Sequence, residues 1–132
     1  MRKVREPLGK PVPQRRSVTT PLPVPTLSVF DSQLKSSGER EVSTTMAFVR
    51  MLSTLAKDKE IGQRVVPIVP DEARTFGMEG MFRQLGIYSS VGQLYDPADS
   101  NLVMFYGEDT HGQMLEEGVG EAGAFQAWLF AA

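Results

Sequence analysis

Cysteine is absent from this sequence of 132 residues, and histidine and tryptophan occur only once each. Without cysteine there is no disulfide framework, thiolate zinc site, iron–sulfur cluster or cysteine nucleophile, and a cytoplasmic compartment is the simpler interpretation. No apolar run approaches the roughly 18 residues that span a membrane, and the basic N-terminal residues lead into proline rather than into the apolar core of a signal peptide. We therefore expect a soluble cytoplasmic protein that does not enter a membrane.

Positive charge is scarce outside the N-terminal end of the chain. Residues 1–16 contain six basic residues and one acid, a net charge of +5, whereas residues 17–132 carry a net charge of −7. A basic arm can bind nucleic acid, but no aromatic residue is interleaved with these charges for base stacking. We therefore expect a solvated linker and no nucleic-acid binding, and we keep a non-catalytic binding module with a basic arm as an alternative.

Proline divides the chain into two parts. Six of the nine prolines fall within the first 25 residues. Each proline removes an amide donor and disfavours helix at the residue before it. The sequence therefore predicts a proline-rich basic connector without regular structure over residues 1–26, and a domain over residues 27–132.

The domain sequence predicts helices and strands in alternation. Helical spacing of apolar residues predicts a helix over 43–57 that begins at the N-cap Ser43 and buries Phe48, Val49 and Leu52 on one face. The other predicted elements are a strand over 65–70, a short helix over 77–86 closed by Gly86, a turn over 95–101, a strand over 113–117 and a helix from residue 119. Such alternation favours an α/β fold with a parallel sheet covered by helices. Because the last helix has no C-cap signal, we expect the domain to be incomplete.

A glycine pattern follows the last predicted strand. GVGEAG at 118–123 matches GxGxxG and precedes a predicted helix, which is the setting of a dinucleotide-binding site. The ribose-binding acid expected about 20 residues later would fall beyond Ala132, and Glu121 would direct a carboxylate at the pyrophosphate. A small dinucleotide-binding α/β module therefore stays an alternative.

Glu121 is the first candidate for chemistry. An acid in the first turn of a helix commonly complements the helix dipole. The alternative is a carboxyl enclosed by Phe125 and Trp128, where loss of water would raise its pKa and let it share a proton.

Asp71 and Glu72 are the second candidates. They follow a predicted strand, at the end of an α/β sheet where ligands bind. Spacing alone favours the alternative, an ordinary polar loop in which they pair with Arg74. The only histidine, His111, lies in a polar turn, and we expect it on the surface. The methionines, among them Met78, Met81 and Met114, are expected in the core.

Two segments resemble a known enzyme family. The stretch STTMAFVRMLSTLAKDKEIGQRVVPIVPDEARTFGMEGMFRQLGIYSSVGQLYDPAD and the later GQMLEEGVGEAGA are similar to homodimeric bacterial pyruvate dehydrogenases, the decarboxylating components of the pyruvate dehydrogenase complex. DEARTFGMEG followed by FRQLGIYS is the most specific part, and LGKPVPQRR resembles the interdomain connector of the same enzymes. The resemblance implies a partial thiamine-diphosphate-binding fold: the connector and the first half of the domain that binds the pyrimidine ring of the cofactor.

The resemblance also implies residue roles and partners. It gives Glu121 the role of the glutamate that hydrogen-bonds the pyrimidine ring nitrogen and so helps to deprotonate the thiazolium carbon. It gives Asp71 and Glu72 places in the cofactor and substrate environment. Pyruvate, the lipoyl domain of the acetyltransferase component and a second copy of the full-length enzyme are the implied partners, and the magnesium ligands are expected outside this segment. Gly120, Gly107 and Phe130 depart from the family pattern, and Gly120 stands in place of the usual asparagine.

Overall fold

The N-terminal part of the chain is only partly described. The computed structural model describes residues 2–5, 7, 20–98 and 105–131. Arg2–Arg5 form a short helix, α1, so the prediction that residues 1–26 lack regular structure is wrong there. These residues precede the first proline, and nothing in their sequence prevents a helical turn. Residues 20–26 contain neither helix nor strand, as predicted, and the remainder of the predicted connector, residues 8–19, lies outside the described residues.

The predicted long helix is confirmed. After a 3₁₀ turn at Leu27–Phe30 and the short helix α2 at Asp31–Leu34, helix α3 covers Thr44–Ala56. Ser43 caps it, because its hydroxyl accepts a hydrogen bond from the backbone N–H of Met46 at 3.1 Å. Val49 is buried and Leu52 packs against the core. Phe48, expected on the same buried face, is 58% exposed, since it lies at the edge of the stripe that meets the core.

Four very short strands form two parallel pairs. Strand β1 at Ile68–Val69 pairs with β4 at Leu115–Glu116, and β2 at Ile87–Tyr88 pairs with β3 at Glu108–Asp109. A single bridge between Ile87 and Met114 brings the two pairs together. All strand pairings in the described residues are parallel, which confirms the α/β prediction. The predicted strands over 65–70 and 113–117 are each only two residues long, and β2 and β3 were not predicted.

Two further helices complete the fold. Helix α4 covers Glu79–Leu85 and ends at Gly86, whose φ of +69° is the left-handed conformation that a glycine adopts readily. Helix α5 covers Glu121–Ala131 and packs against β1. The Ser53 hydroxyl donates to Gln84 Oε1 at 2.8 Å and links α3 to α4. No helix in the described ranges is long and apolar enough to cross a membrane.

The core gathers around the junction of the strands. Its buried members are mostly aliphatic and sulfur-containing side chains: Val49, Val69, Ala73, Met78, Met81, Phe82, Ile87 and Met114. Ile87 and Met114, which bridge the two strand pairs, are almost completely buried. The expectation that methionines fill the core is confirmed for Met78, Met81 and Met114. Met46 and Met51 are only half-buried and lie outside the buried cluster, and Met104 lies outside the described residues.

Candidate functional site: acidic groups at the strand ends

The parallel pair β1–β4 brings two acidic segments to one edge of the sheet. Ile68 lies opposite Leu115 and Val69 lies opposite Glu116. Because parallel strands point the same way, the segments that follow them leave the sheet at the same edge. Asp71 and Glu72 follow β1 after Pro70, and Glu121 follows β4 at the start of α5. The three acids predicted from sequence therefore share the carboxyl edge of β1 and β4.

Asp71 has an unusual backbone. Its φ is +57°, and it is the only non-glycine residue in the described ranges with a positive φ. Aspartate tolerates this conformation better than most residues, at a cost of about 1 kcal/mol or more. The side chains of Asp71 and Glu72 are exposed. Neither acid forms an ion pair with Arg74 within the described part of the chain, so the structure does not support that alternative.

Glu121 is exposed, and the expectation that Phe125 and Trp128 enclose its carboxyl is wrong in this chain. Phe125 is 59% exposed and Trp128 53% exposed, and their rings contact each other with centroids 5.4 Å apart. The inner side of α5 is formed instead by small residues, which are half-buried: Gly123, Ala124 and Ala127. The aromatic residues do lie on the face of Glu121, at spacings of four and seven residues, but that face points to solvent.

Glu116 is the acidic group that sequence analysis missed. Its side chain is half-buried, and its Oε2 atom is inaccessible to solvent and has no hydrogen-bond partner among the described residues. Burial raises the pKa of Glu116, and the negative charge of Asp71 raises it further. Strand alternation did indicate that Glu116 and Glu117 face opposite sides, but only the folded chain reveals which side is packed.

A second polar cluster lies at β3, away from these acids. The hydroxyls of Tyr95 and Tyr106 both donate to Glu108 Oε1, at 2.8 and 3.2 Å, and the backbone N–H of Glu108 donates to Gln93 Oε1 at 2.8 Å. Burial raises the pKa of Tyr106, and the neighbouring Tyr95 hydroxyl raises it further. These bonds hold the loop before β3 against the strand.

His111 lies on the surface, as predicted, with 93% of its side chain exposed. Its backbone N–H donates to Asp109 Oδ1 at 2.7 Å, and this hydrogen bond lowers the pKa of Asp109. No group of three or more histidine, aspartate or glutamate side chains in the described ranges could hold a metal ion.

An apolar groove of about 450 Å³ runs beside the acidic edge. Helix α3 contributes Phe48 and Val49, β1 contributes Val69, and the following segment contributes Pro70 and Phe76. Pro70 is the residue immediately before Asp71, so the groove ends where the acids begin. None of the three predicted acids lines it.

Comparison with known proteins identifies the family of the chain. The sequence model of the pyruvate dehydrogenase E1 component middle domain matches residues 22–132. The chain therefore belongs to this family, as the resemblance in its sequence indicated. The glycine pattern at 118–123 does lie between a strand and a helix, but nothing in the comparisons supports the dinucleotide-binding alternative.

The relatives are pyruvate dehydrogenase E1 components of bacteria. That of Pseudomonas aeruginosa is 64% identical over 127 residues, which are 96% of this chain and 14% of the relative. That of Cupriavidus necator is 60% identical over 133 residues, covering 100% of this chain and 15% of the relative. That of Escherichia coli K12 is 50% identical over 129 residues, which are 97% of this chain and 14% of the relative. The chain thus spans about one seventh of the length of these relatives.

Proposed function

We propose that this chain forms part of a thiamine-diphosphate-dependent pyruvate dehydrogenase of the acetyl-transferring type. The whole enzyme would decarboxylate pyruvate and pass the acetyl group to the lipoyl domain of an acetyltransferase component. The observation that supports this most directly is the family match over residues 22–132, reinforced by 64% identity to the P. aeruginosa E1 component.

The residues at the strand ends fit the pyrimidine end of the cofactor. Glu121 presents an exposed carboxylate in the first turn of α5, where it can accept or share a proton with a ring nitrogen. Asp71 and Glu72 are exposed on the neighbouring strand end and would border the cofactor and the substrate. When bound, thiamine diphosphate supplies the electron sink for decarboxylation.

The role of Glu121 is to hold a proton at a fixed place. The N-terminus of α5 favours a negative charge at this position. Phe125 and Trp128 lie on the same face of the helix, one and two turns further on. In the complete enzyme a surface that covers these rings would also exclude water from the carboxylate, which would then share its proton more readily.

The remaining parts of the proposal concern the whole enzyme. Magnesium and the cofactor diphosphate would be held by residues outside this segment, and two copies of the full-length chain would form the working homodimer. A cytoplasmic location, predicted from the absence of cysteine, belongs to the same proposal. Pyruvate and the lipoyl domain are the expected substrates.

A segment exchange tests the proposal. The matching segment of the P. aeruginosa E1 component is replaced by this chain, and pyruvate-dependent activity is measured with the other components of the complex. We expect the exchanged enzyme to be active. We expect Glu121→Gln in that enzyme to lower turnover by about 10²- to 10⁴-fold, the range typical of losing a positioned acid or base.

Glu117→Gln is the matched control, because Glu117 is also an exposed acid near the end of β4. We expect it to leave turnover within about twofold, the size of an ordinary surface change. Hydrogen–deuterium exchange at the thiazolium carbon separates cofactor activation from later steps. If the exchange rate is the same with Glu121→Gln as without it, Glu121 is only a helix-terminal acid and its assigned role is wrong.

A further inference from the structure

Glu116 is held in a fixed position beside β1. The backbone N–H of Leu115 donates to the carbonyl of Pro67 and that of Glu117 to the carbonyl of Val69, both at 2.9 Å. These two bonds bracket Glu116 and set it opposite Val69. Only Pro70 separates Val69 from Asp71, so the backbone pairing places Glu116 close to the start of the Asp71 segment.

One oxygen of the Glu116 carboxyl lacks, among the described residues, a donor that would stabilise a negative charge. Its Oε2 atom is buried without a hydrogen-bond partner among the described residues. A carboxylate removed from water without hydrogen bonds is costly, and such a group takes up a proton instead. A buried Oε2 atom without a hydrogen-bond donor is therefore best explained by a carboxyl that carries a proton for part of the working pH range.

The groups around Glu116 add no positive charge. Strand β1 has no charged residue, and β2 offers only Tyr88, whose side chain is exposed. Helix α5 contains no basic residue and begins with the exposed Glu121. The charge that acts on Glu116 is the negative charge of Asp71, which disfavours ionisation of its neighbour.

The backbone conformation of Asp71 requires contacts that stabilise it. Its positive φ is a strained conformation, which persists only where surrounding contacts hold it. A protonated carboxyl has one O–H donor, and Asp71 is the neighbouring acid whose charge acts on Glu116. Hydrogen bonds to a charged acceptor are stronger than those between neutral groups.

We propose that Glu116 is a positioning residue for Asp71. A proton held between the half-buried Glu116 carboxyl and the Asp71 carboxylate fixes Asp71 at the carboxyl end of β1, and loss of that proton releases it. No covalent bond changes, and the proton passes to or from water. Asp71 belongs to the proposed cofactor and substrate environment. The catalytic meaning of this inference therefore rests on the proposed function. The carboxyl pair itself depends only on the fold of this chain.

The test follows both carboxyl groups by NMR in the 132-residue chain without cofactor or substrate. Glutamate and aspartate are labelled with ¹³C, and the side-chain signals are recorded between pH 4 and pH 9, a range on the order of that in which perturbed carboxyls titrate. We expect Glu116 to titrate above the ordinary glutamate value of 4.5. We also expect the backbone amide signal of Asp71 to change at the same pH as the Glu116 carboxyl.

Three variants make the outcome decisive. Glu116→Gln keeps a permanent donor, so the Asp71 amide should stay near its low-pH position across the range, whereas Glu116→Ala should leave it near its high-pH position. Glu117→Gln should leave the titration of Asp71 unchanged. If Glu116→Ala does not fold, the contrast between the parent chain and Glu116→Gln still decides the matter.

The inference is overturned if Glu116 titrates at the ordinary value, or if the Asp71 signal shows no change at the Glu116 midpoint. Either result leaves the proposed function intact, because the measurement involves no turnover. Conversely, loss of the proposed function in the segment-exchange experiment would leave the coupled titration in place. The two proposals therefore fail independently.

Discussion

Gln113 joins two distant parts of the chain through one side chain. Its Nε2 donates to the carbonyl oxygens of Gly62 and Val65, each at 2.6 Å. Gly62 is buried, so its carbonyl has little access to water as a substitute partner. The 3₁₀ turn at Gly62–Arg64 is thereby tied to the residue that leads into β4, and the position of β1, which follows the turn, depends on it.

We predict that Gln113→Glu destabilises the chain by about 2 kcal/mol or more, because a carboxylate can donate to neither carbonyl and leaves both unsatisfied. Urea unfolding at neutral pH measures the loss. Lowering the pH returns one O–H donor to the introduced carboxyl, so the difference from the parent chain should shrink in acid. Gln126→Glu, at an exposed position of α5, is the control and should change stability by less than about 0.5 kcal/mol. Equal effects of the two substitutions would show that Gln113 does not hold the turn.

The acidic residues indicate how far the sequence alone could describe the site. Asp71 and Glu72 were correctly placed after a strand, and Glu121 was correctly placed in the first turn of a helix, because strand and helix boundaries follow from local patterns. The environment of Glu121 was not predicted correctly, since helical spacing identifies which residues share a face of the helix but not which face is covered. Glu116 was overlooked for a similar reason: its burial depends on β1, which lies more than 40 residues earlier in the sequence.

At the scale of elements, the turn before β4 approaches the backbone of β2 closely at Gly112. A Cβ atom at Gly112 would overlap the carbonyl group of Ile87 and lie 2.5 Å from the backbone nitrogen of Tyr88. All three atoms belong to the backbone and cannot move aside as a flexible side chain would. The hydrogen bond from Tyr88 N to the carbonyl of Met114 at 2.8 Å depends on this approach.

We predict that Gly112→Ala destabilises the chain by about 1–3 kcal/mol, the usual cost of forcing extra volume into a packed region. Thermal unfolding followed by circular dichroism measures the change. Gly80→Ala is the matched control, because Gly80 lies within α4 and a Cβ atom there would meet nothing within 4 Å. That substitution should stabilise the helix by about 0.5–1 kcal/mol. If both variants unfold at the same temperature as the parent chain, Gly112 does not pack tightly against the backbone of Ile87 and Tyr88.

The helices were predicted better than the strands. Helix α3 has both an N-cap and an apolar stripe within its own sequence, and α4 ends at a glycine, so their boundaries are set locally. Strands β2 and β3 have two residues each, and Glu108–Asp109 is wholly acidic. Such a strand exists because a distant segment donates hydrogen bonds to its carbonyls, as Ser89 N does to the carbonyl of Asp109, and no pattern of alternating apolar residues predicts it.

At the scale of the whole molecule, the chain spans 14–15% of the length of the relatives described above. In the described ranges the acids gather at one sheet edge, and no cluster suited to a metal ion accompanies them. The proposed reaction assigns the magnesium and the cofactor diphosphate to other residues.

We predict that the 132-residue chain alone does not turn over pyruvate, even with thiamine diphosphate and magnesium supplied. Alignment of the reacting groups requires the cofactor to be held at both ends, and misplacement by about 1 Å can cost 10²-fold in rate. Release of carbon dioxide from labelled pyruvate is the measurement, with the segment-exchanged P. aeruginosa enzyme as the positive control. Turnover by the chain alone that disappears with Glu121→Gln would contradict the prediction.

The inner face of α5 consists of small residues, and its outer face therefore carries the large ones. Trp128 is the only tryptophan in the sequence and is 53% exposed on that outer face. The tryptophan fluorescence of the chain consequently comes from one known place, on the same helix face as Glu121. An indole in contact with water emits at longer wavelengths than one that is covered. A shift of this single emission band toward the blue would report, without any label, that another surface has closed over α5.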